Sequence, residues 1–280
     1  MRQTSILFVR IAMMLAAAVV GSRQAQAIEP ETVRITSDLA HMGRFTALLF
    51  RPKGAGPLPA IVALHGCGGL LTGAGEIRTR EADWAERLVA AGYVVLLPDS
   101  FTARGMREIC SGRERKIFPD DRAEDAAAAA QWLAQQPFVD RRRLGLMGWS
   151  HGAMTVLWTV RRDFLRDAQF KAAIGFYPGC REIAKLPDWH AGVPLTLLLG
   201  EVDDWTAPAP CMELAKREGF RVVVYPDAYH GFDTPNSPVR VRKGIGSLKK
   251  GEAHVGTNEA ARTASIAEVM RILASALRTP

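Results

Sequence analysis

A ten-residue segment near the middle of the chain constrains the fold more than any other feature. It runs Leu144-Gly-Leu-Met-Gly-Trp-Ser-His-Gly-Ala153 and joins an apolar strand pattern to a helical pattern through G-x-S-x-G. A sharp strand-to-helix turn pushes the serine side chain out above a sheet, and the flanking glycines let neighbouring backbone approach without a Cβ clash. The helix that follows directs its positive end at the same place. We therefore predict that Ser150 is a nucleophile at the end of a buried strand.

A second apolar run leads directly into a glycine-rich loop. Residues 60–64 are followed by His65-Gly-Cys-Gly-Gly69. A loop in this position supplies a backbone N–H to the oxyanion of an acyl-transfer intermediate, together with the N–H of the residue after the nucleophile. We expect Cys67 and His151 to be these two donors. His65 precedes the turn, so we expect it to hold the loop by hydrogen bonding and not to act as the base.

An acid and a base follow the serine in chain order, each after an apolar run. Residues 195–199 lead into an acidic loop with Asp203 and Asp204, and residues 221–225 lead into a loop with His230. A serine nucleophile needs a histidine to accept its proton and a carboxylate to orient that histidine. The other histidines lie too early in the chain, before the acid's strand, or in the polar C-terminal part. The pattern predicts His230 as the base and leaves the two aspartates open.

The whole chain alternates short apolar runs with helical stretches. This alternation predicts an α/β fold, with a mostly parallel central sheet of about eight strands and helices on both faces. The predicted strands are 32–36, 45–50, 60–64, 94–97, 144–147, 172–176, 195–199 and 221–225, and the predicted helices are 81–91, 122–136, 152–162, 210–218 and 259–277. No repeat or low-complexity linker interrupts them, so we expect residues 28–280 to form a single domain.

The N-terminal residues resemble an export signal. Arg2 and Arg10 precede and flank an apolar run over residues 11–20, and Ala25-Gln-Ala27 follows as a small-residue cleavage site. This pattern predicts a signal peptide over residues 1–27 and a periplasmic or secreted mature chain. The apolar run is about half of the roughly 20 residues that a membrane-spanning helix needs. An uncleaved anchor is the alternative, but we expect no membrane association after cleavage.

The net charge of the chain gives no indication of a nucleic-acid partner. The formal charge is +7, and the signal peptide accounts for three arginines and no acid, which leaves about +4. The densest basic stretch, residues 240–250, has no interleaved aromatic residues to stack against bases. We expect it to be a solvated loop.

The four cysteines are expected to form two disulfides. Exported proteins with an even cysteine count often pair them, and no zinc-type spacing is present here. Cys67 and Cys110 both follow neighbouring strand ends, as do Cys180 and Cys211. We therefore predict the pairs 67–110 and 180–211, although four cysteines allow three connectivities and four free thiols is the remaining alternative.

Taken together, these motifs resemble the dienelactone hydrolase family of the α/β-hydrolase fold. The matching segments are the 65–69 loop, residues 97–101, residues 148–152, residues 200–205 and residues 229–232. The resemblance implies Asp203 as the acid, because the family's acid stands three residues after the strand-end glycine. It also implies that Arg104, after the Pro-Asp strand end, contacts a substrate carboxylate. The best-known members carry cysteine where this chain has Ser150, so their substrate cannot be transferred to it.

The predicted activity is hydrolysis of a small carboxylic ester or lactone through an acyl-enzyme on Ser150. No metal or organic cofactor is implied, and the sequence leaves the oligomeric state open. Aromatic side chains are expected on the rim of the site, and flat apolar walls favour a compact substrate. The expected rim residues are Trp149, Tyr177, Trp205 and Phe232. Acyl transfer to an alcohol by the same residues and non-catalytic ligand binding on the same fold are the alternatives.

Overall fold

The structure is a computed structural model that describes residues 29–36, 43–54, 56–112, 117–165 and 170–277. The predicted signal peptide, residues 1–27, lies outside the described residues. His41, which lies too early in the chain to be the predicted base, is also outside the described residues.

Eight strands form one central sheet, as predicted. Its order is β1-β2-β4-β3-β5-β6-β7-β8. β2 is antiparallel to both of its neighbours, whereas all pairs from β4 to β8 along the sheet are parallel. The strands are β1 (Glu31–Thr36), β2 (Arg44–Phe50), β3 (Leu58–Leu64), β4 (Val94–Pro98), β5 (Val139–Trp149), β6 (Phe170–Phe176), β7 (Leu195–Gly200) and β8 (Arg221–Tyr225). The chain therefore has the α/β-hydrolase type of sheet.

Five helices cover the two faces of this sheet. They are α1 (Thr79–Ala90), α2 (Pro119–Ala134), α3 (His151–Thr159), α4 (Ala209–Glu218) and α5 (Glu259–Leu277). Successive strand side chains point to opposite faces, so Val62 of β3 joins the core under α2, α3 and α4, whereas Ile61 joins the core under α1 and α5. Burial on both faces explains why β3, β4 and β7 are continuous apolar runs.

The parallel strands bring their carboxyl ends to one edge of the sheet. The loops that follow β3, β5, β7 and β8 carry His65, Ser150, Asp203 and His230. Open α/β sheets bind their ligands at this edge. The topology therefore gathers residues that are up to 165 positions apart in the sequence.

The basic stretch at residues 240–250 differs from its prediction as a solvated loop. Arg240–Lys243 forms β9, which pairs antiparallel with β10 (Glu252–Val255). Each strand has four residues, and neither has the apolar run that identified the central strands. This hairpin lies beside the carboxyl edge, because Val255 bridges to His230.

Both predicted disulfides are present. Cys67 bonds to Cys110, and Cys180 bonds to Cys211. These bonds fit the oxidising compartment to which the predicted signal peptide would direct the chain. None of the helices among the described residues is both long and apolar enough to span a bilayer.

Candidate active site

Ser150 lies on a strained turn between β5 and α3. Its φ is +54°, in the left-handed region that non-glycine residues rarely adopt. The turn packs against backbone on two sides. A Cβ on Gly148 would collide with the carbonyl group of Gly152, and a Cβ on Gly152 would collide with the carbonyl oxygen of Leu64. The glycines of the motif are therefore required by close backbone approach.

Ser150, His230 and Asp203 form a continuous hydrogen-bonded chain. His230 Nε2 lies 2.9 Å from Ser150 Oγ, and His230 Nδ1 lies 2.8 Å from Asp203 Oδ2. All three side chains are buried, with 8 %, 5 % and 3 % of their residue surface exposed. Since Nδ1–H donates to the carboxylate, Nε2 is left as the acceptor for the serine hydroxyl. This arrangement can remove the serine proton.

Asp204 has a different partner, although it is adjacent to Asp203. Its carboxylate accepts from the backbone N–H of His254 at 2.9 Å and lies 2.8 Å from His254 Nδ1. Asp204 thus ties the acidic loop to β10. Asp203 instead accepts two backbone N–H groups, from Trp205 and Thr206, on its second oxygen.

Thr206 joins the acid–base pair and was not predicted from the sequence. Its Oγ1 lies 2.9 Å from Asp203 Oδ2, 3.0 Å from His230 Nδ1 and 3.0 Å from the carbonyl oxygen of Tyr177. A hydroxyl has one proton to donate, so it serves one acceptor at a time while accepting from another donor. Only its position three residues after Asp203 could have suggested this role.

The His230 ring contacts two aromatic rings. The Tyr177 and Trp205 ring centroids each lie 4.6 Å from the His230 centroid. These contacts fix the ring plane of the base while leaving Nε2 directed at Ser150.

The two predicted oxyanion donors lie beside the serine. Cys67 lines the same cavities as Ser150, and His151 is the first residue of α3. His65 holds the loop, as predicted: its Nδ1 lies 2.8 Å from the carbonyl oxygen of Gly66, and its Nε2 accepts from the backbone N–H of Ser100 at 3.3 Å. Burial, with Arg122 nearby, lowers the pKa of His65 well below its ordinary value. A neutral ring matches both hydrogen bonds.

Arg122 links the two segments that carry these donors. It is fully buried, and it donates to the carbonyl oxygen of His65 at 2.8 Å and to His151 Nδ1 at 3.0 Å. Burial lowers the pKa of Arg122 to about 10, which still leaves it charged at neutral pH. From the sequence, Arg122 is only an arginine in a predicted helix. Its role depends on the direction of its side chain, which the sequence does not show.

Two cavities meet at Ser150. The larger has a volume of about 540 Å³ and the smaller about 290 Å³, and both are lined by Trp205 and by the Cys67–Cys110 disulfide. The larger cavity also has four arginines in its wall, namely Arg78, Arg80, Arg240 and Arg242. Among the described residues of that wall Glu81 is the one acid, and it is paired with Arg80.

The arginines of the larger cavity are crowded together. Burial and the like charges of Arg78 and Arg240 lower the pKa of Arg242, and only Glu108 opposes them. Arg242 also stacks over the Trp205 ring at 5.1 Å. Arg78 Nε is buried and has no hydrogen-bond partner among the described residues. The wall therefore carries excess positive charge next to Ser150.

Four residues predicted to contact substrate are not on the cavity walls. Arg104 turns inward, where it pairs with buried Asp125 at 2.9 Å and donates to the carbonyl oxygen of Ser100. Trp149, Tyr177 and Phe232 are fully buried in the core beneath the site. Only Trp205 of the predicted rim reaches both cavities. The sequence indicates that these residues lie near strand ends, but not which way each side chain turns, and all four turn away from the two cavities.

Within the described ranges, no group of three or more His, Cys, Asp or Glu side chains could hold a metal ion.

Comparisons with known proteins show which proteins this chain is similar to. A probable 2-oxo-3-(5-oxofuran-2-ylidene)propanoate lactonase from a Bradyrhizobium species is 28 % identical over 209 residues, which cover 66 % of this chain and 78 % of the relative. A putative dienelactone hydrolase from Klebsiella pneumoniae superposes with a TM-score of 0.64 at 19 % identity, covering 87 % of this chain and 99 % of that one. Esterase 2 from Thermogutta terrifontis superposes with a TM-score of 0.59 at 16 % identity, covering 91 % and 97 %.

The two solved structures are similar in fold. The sequence model of the dienelactone hydrolase family matches residues 45–277, which include all of β2 except its first residue, every later strand and all three residues of the hydrogen-bonded chain. The chain therefore belongs to the dienelactone hydrolase family.

Proposed function

We propose that the protein is a serine hydrolase that cleaves a small carboxylic ester or lactone through an acyl-enzyme on Ser150. The observation that carries this proposal is the hydrogen-bonded chain from Asp203 through His230 to Ser150 Oγ, at the floor of two cavities. Family membership supports ester chemistry, and the lactonase relative supports the inclusion of lactones.

The first half-reaction forms the acyl-enzyme. Ser150 Oγ attacks the carbonyl carbon while His230 Nε2 takes the hydroxyl proton, and Asp203 stabilises the resulting imidazolium. The carbonyl oxygen becomes an oxyanion that accepts from the backbone N–H groups of Cys67 and His151. The C–O bond to the alcohol then breaks, and His230 returns its proton to the leaving oxygen.

The second half-reaction repeats these steps with water. His230 takes a proton from the water as its oxygen attacks the acyl carbon, and the ester bond to Ser150 breaks. The proton then passes to Ser150 Oγ, which restores the free enzyme and releases the acid. A serine hydroxyl depends on its base far more than a thiol does, since the thiol is partly ionised on its own. The short contact from Ser150 to His230 therefore suits the serine found here.

A panel of p-nitrophenyl esters and lactones tests the activity. The wild-type protein should hydrolyse short-chain members, and Ser150→Ala should lose about 10⁴-fold or more of the turnover. Added alcohols separate hydrolysis from acyl transfer, because a transferase would form a new ester faster than free acid. Equal rates for the wild type and Ser150→Ala would refute the proposal, and absence of turnover with retained ligand binding would favour the non-catalytic alternative.

We also propose that the substrate carries a negative charge. The support is the arginine-rich wall of the larger cavity, where Arg78, Arg240 and Arg242 outnumber nearby acids. The relative's name specifies a propanoate, which is itself an anion. Hydrogen bonds from arginine to a carboxylate are among the stronger polar contacts in proteins. These arginines take over the role that the family resemblance implied for Arg104.

Matched neutral and anionic esters test this preference. The Arg240→Gln/Arg242→Gln variant should lower kcat/KM for p-nitrophenyl hydrogen succinate about 10-fold or more relative to p-nitrophenyl pentanoate, because one charge-assisted hydrogen bond contributes about 1.5–3 kcal/mol. Arg181→Gln is the control, since Arg181 lines the smaller cavity instead. An unchanged ratio in the double variant, or the same loss in Arg181→Gln, would contradict the preference.

A further inference from the structure

The carboxylate of Asp233 is buried beneath the site and accepts from three side chains. Asp233 has no exposed surface. Its Oδ2 accepts from the indole N–H groups of Trp84 at 2.7 Å and Trp149 at 2.9 Å, and its Oδ1 accepts from the hydroxyl of Tyr177. Burying a carboxylate costs free energy unless hydrogen-bond donors surround it, and the three donors to Asp233 offset this cost.

Two of these donors contact the proposed catalytic residues directly. Trp149 immediately precedes Ser150 in the strained turn. The Tyr177 ring packs against the His230 ring, and the Tyr177 carbonyl oxygen accepts from Thr206. Asp233 itself lies three residues after His230 in the same loop. One carboxylate thus connects the segment that carries the nucleophile with the segment that carries the base.

The guanidinium of Arg80 and the carboxylate of Glu81 are also part of this buried network. Arg80 Nη1 donates to the Tyr177 hydroxyl at 3.3 Å, and Arg80 Nη2 pairs with Glu81. Burial alone would lower the pKa of Arg80, but Glu81, Tyr177 and Asp233 outweigh it and raise that pKa. Burial raises the pKa of Tyr177 well above its ordinary value, so the hydroxyl stays a donor. Trp84 anchors the same carboxylate to α1.

We propose that Asp233 is a positioning residue that sets the distance between Ser150 and His230, a role that rests on the proposed serine hydrolase function. It touches neither substrate nor the reacting atoms. Its hydrogen bond from Trp149 fixes the backbone that precedes Ser150. Its hydrogen bond from Tyr177 fixes the ring that packs against His230. Because a displacement of about 1 Å costs about 100-fold in rate, losing this anchor lowers kcat more than it raises KM.

The first test is Asp233→Asn, which keeps the shape but removes the charge and one acceptor oxygen. We expect kcat to fall about 100-fold, with KM changed less than about threefold. Labelling of Ser150 by a fluorophosphonate should slow by a similar factor. Neutral and anionic esters should be affected equally, because Asp233 itself lines neither cavity and does not contact Arg78, Arg240 or Arg242. A folded Asp233→Asn protein with wild-type kcat and labelling rate would overturn the proposal.

Three conservative variants keep the test decisive if Asp233→Asn does not fold. Trp149→Phe removes one indole hydrogen bond to Asp233, and Tyr177→Phe removes the hydroxyl while keeping the ring on His230. Trp189→Phe is the matched control. This equally buried indole donates to the carbonyl oxygen of Leu157 and not to Asp233. We expect kcat losses of about 10-fold in the first two and none beyond about twofold in the control.

Failure of this proposal is separable from failure of the proposed function. Equal losses in Trp149→Phe and Trp189→Phe would mean a general effect of a lost buried hydrogen bond and would overturn the role of Asp233. A wild-type protein that neither hydrolyses esters nor reacts with the fluorophosphonate would instead refute the serine hydrolase. Because the residues act as a unit, Asp233→Asn/Tyr177→Phe should be little slower than Asp233→Asn alone.

Discussion

Two adjacent aspartates have different partners in this structure. Asp203 is buried against His230, whereas Asp204 is about half exposed against His254. The two side chains leave the turn after β7 in different directions, one toward His230 and the other toward β10. The family resemblance, and not the residue types, was what favoured Asp203.

Replacing each aspartate by asparagine should therefore give unequal effects. Asp203→Asn should cut kcat by about 10⁴-fold, because an asparagine favours the wrong histidine tautomer without disturbing the fold. Asp204→Asn should change kcat by less than about threefold, as surface ion pairs contribute little. Steady-state kinetics on one short-chain ester decides the matter. A larger loss in Asp204→Asn would mean that the acid is misassigned.

Residues identified by chain order and strand ends came out where the sequence predicted them. Ser150, Asp203 and His230 each follow a buried strand, and parallel topology brings such positions together. Thr206 and Asp233 could not be found in this way, because their roles depend on which way a loop side chain turns. For the same reason the sequence did not show that the Arg104 side chain turns toward Asp125.

At the scale of elements, the loop after β3 depends on a neutral histidine. His65 accepts from the backbone N–H of Ser100, and this hydrogen bond needs an unprotonated Nε2. The folded state keeps the pKa of His65 well below its ordinary value near 6.5, because the ring is buried beside Arg122. Above a pH of about 6.5 the His65 ring is neutral in both the folded and the unfolded chain. Just below this pH, the unfolded chain binds the proton while the folded chain does not.

The free energy of unfolding should therefore fall as the pH drops below about 6.5, by up to about 1.4 kcal/mol per pH unit from this residue. Urea unfolding of the wild type and His65→Gln at pH 8, 7, 6 and 5 measures the effect. The variant should be less stable at pH 8 but should have a shallower slope below pH 7. Parallel slopes in the two proteins would show that His65 titrates normally in the folded state.

Elements with long apolar runs were predicted to within a few residues. β8 matches its predicted range of 221–225, and α5 matches 259–277. β5 begins at Val139, five residues before its predicted start. Only Val139 of this first part pairs with β3, and the polar residues 140–143 that follow give no apolar signal. The β9–β10 hairpin was missed for the same reason. Its position matters, because it delivers Arg240 and Arg242 to the larger cavity.

At the scale of the whole molecule, the two disulfides frame the site. Cys67–Cys110 forms part of the wall shared by both cavities, and Cys180–Cys211 joins the end of β6 to α4 beside the smaller one. Closing loops of 43 and 31 residues restricts the unfolded chain and so stabilises the fold. The site is thus built from strand ends, a strained turn, cross-linked loops and one hairpin, which together leave two openings around a single serine.

A serine hydrolase of the proposed kind forms a covalent intermediate at Ser150. Rapid acid quenching after mixing with a p-nitrophenyl ester, followed by peptide mass spectrometry, should detect the acyl mass on the peptide that contains Ser150. The release of p-nitrophenol should show a burst equal to the enzyme concentration when deacylation is slow. Ser150→Ala should show neither the adduct nor the burst. An acyl group on a different residue, or hydrolysis with Ser150 unmodified at every quench time, would contradict the account.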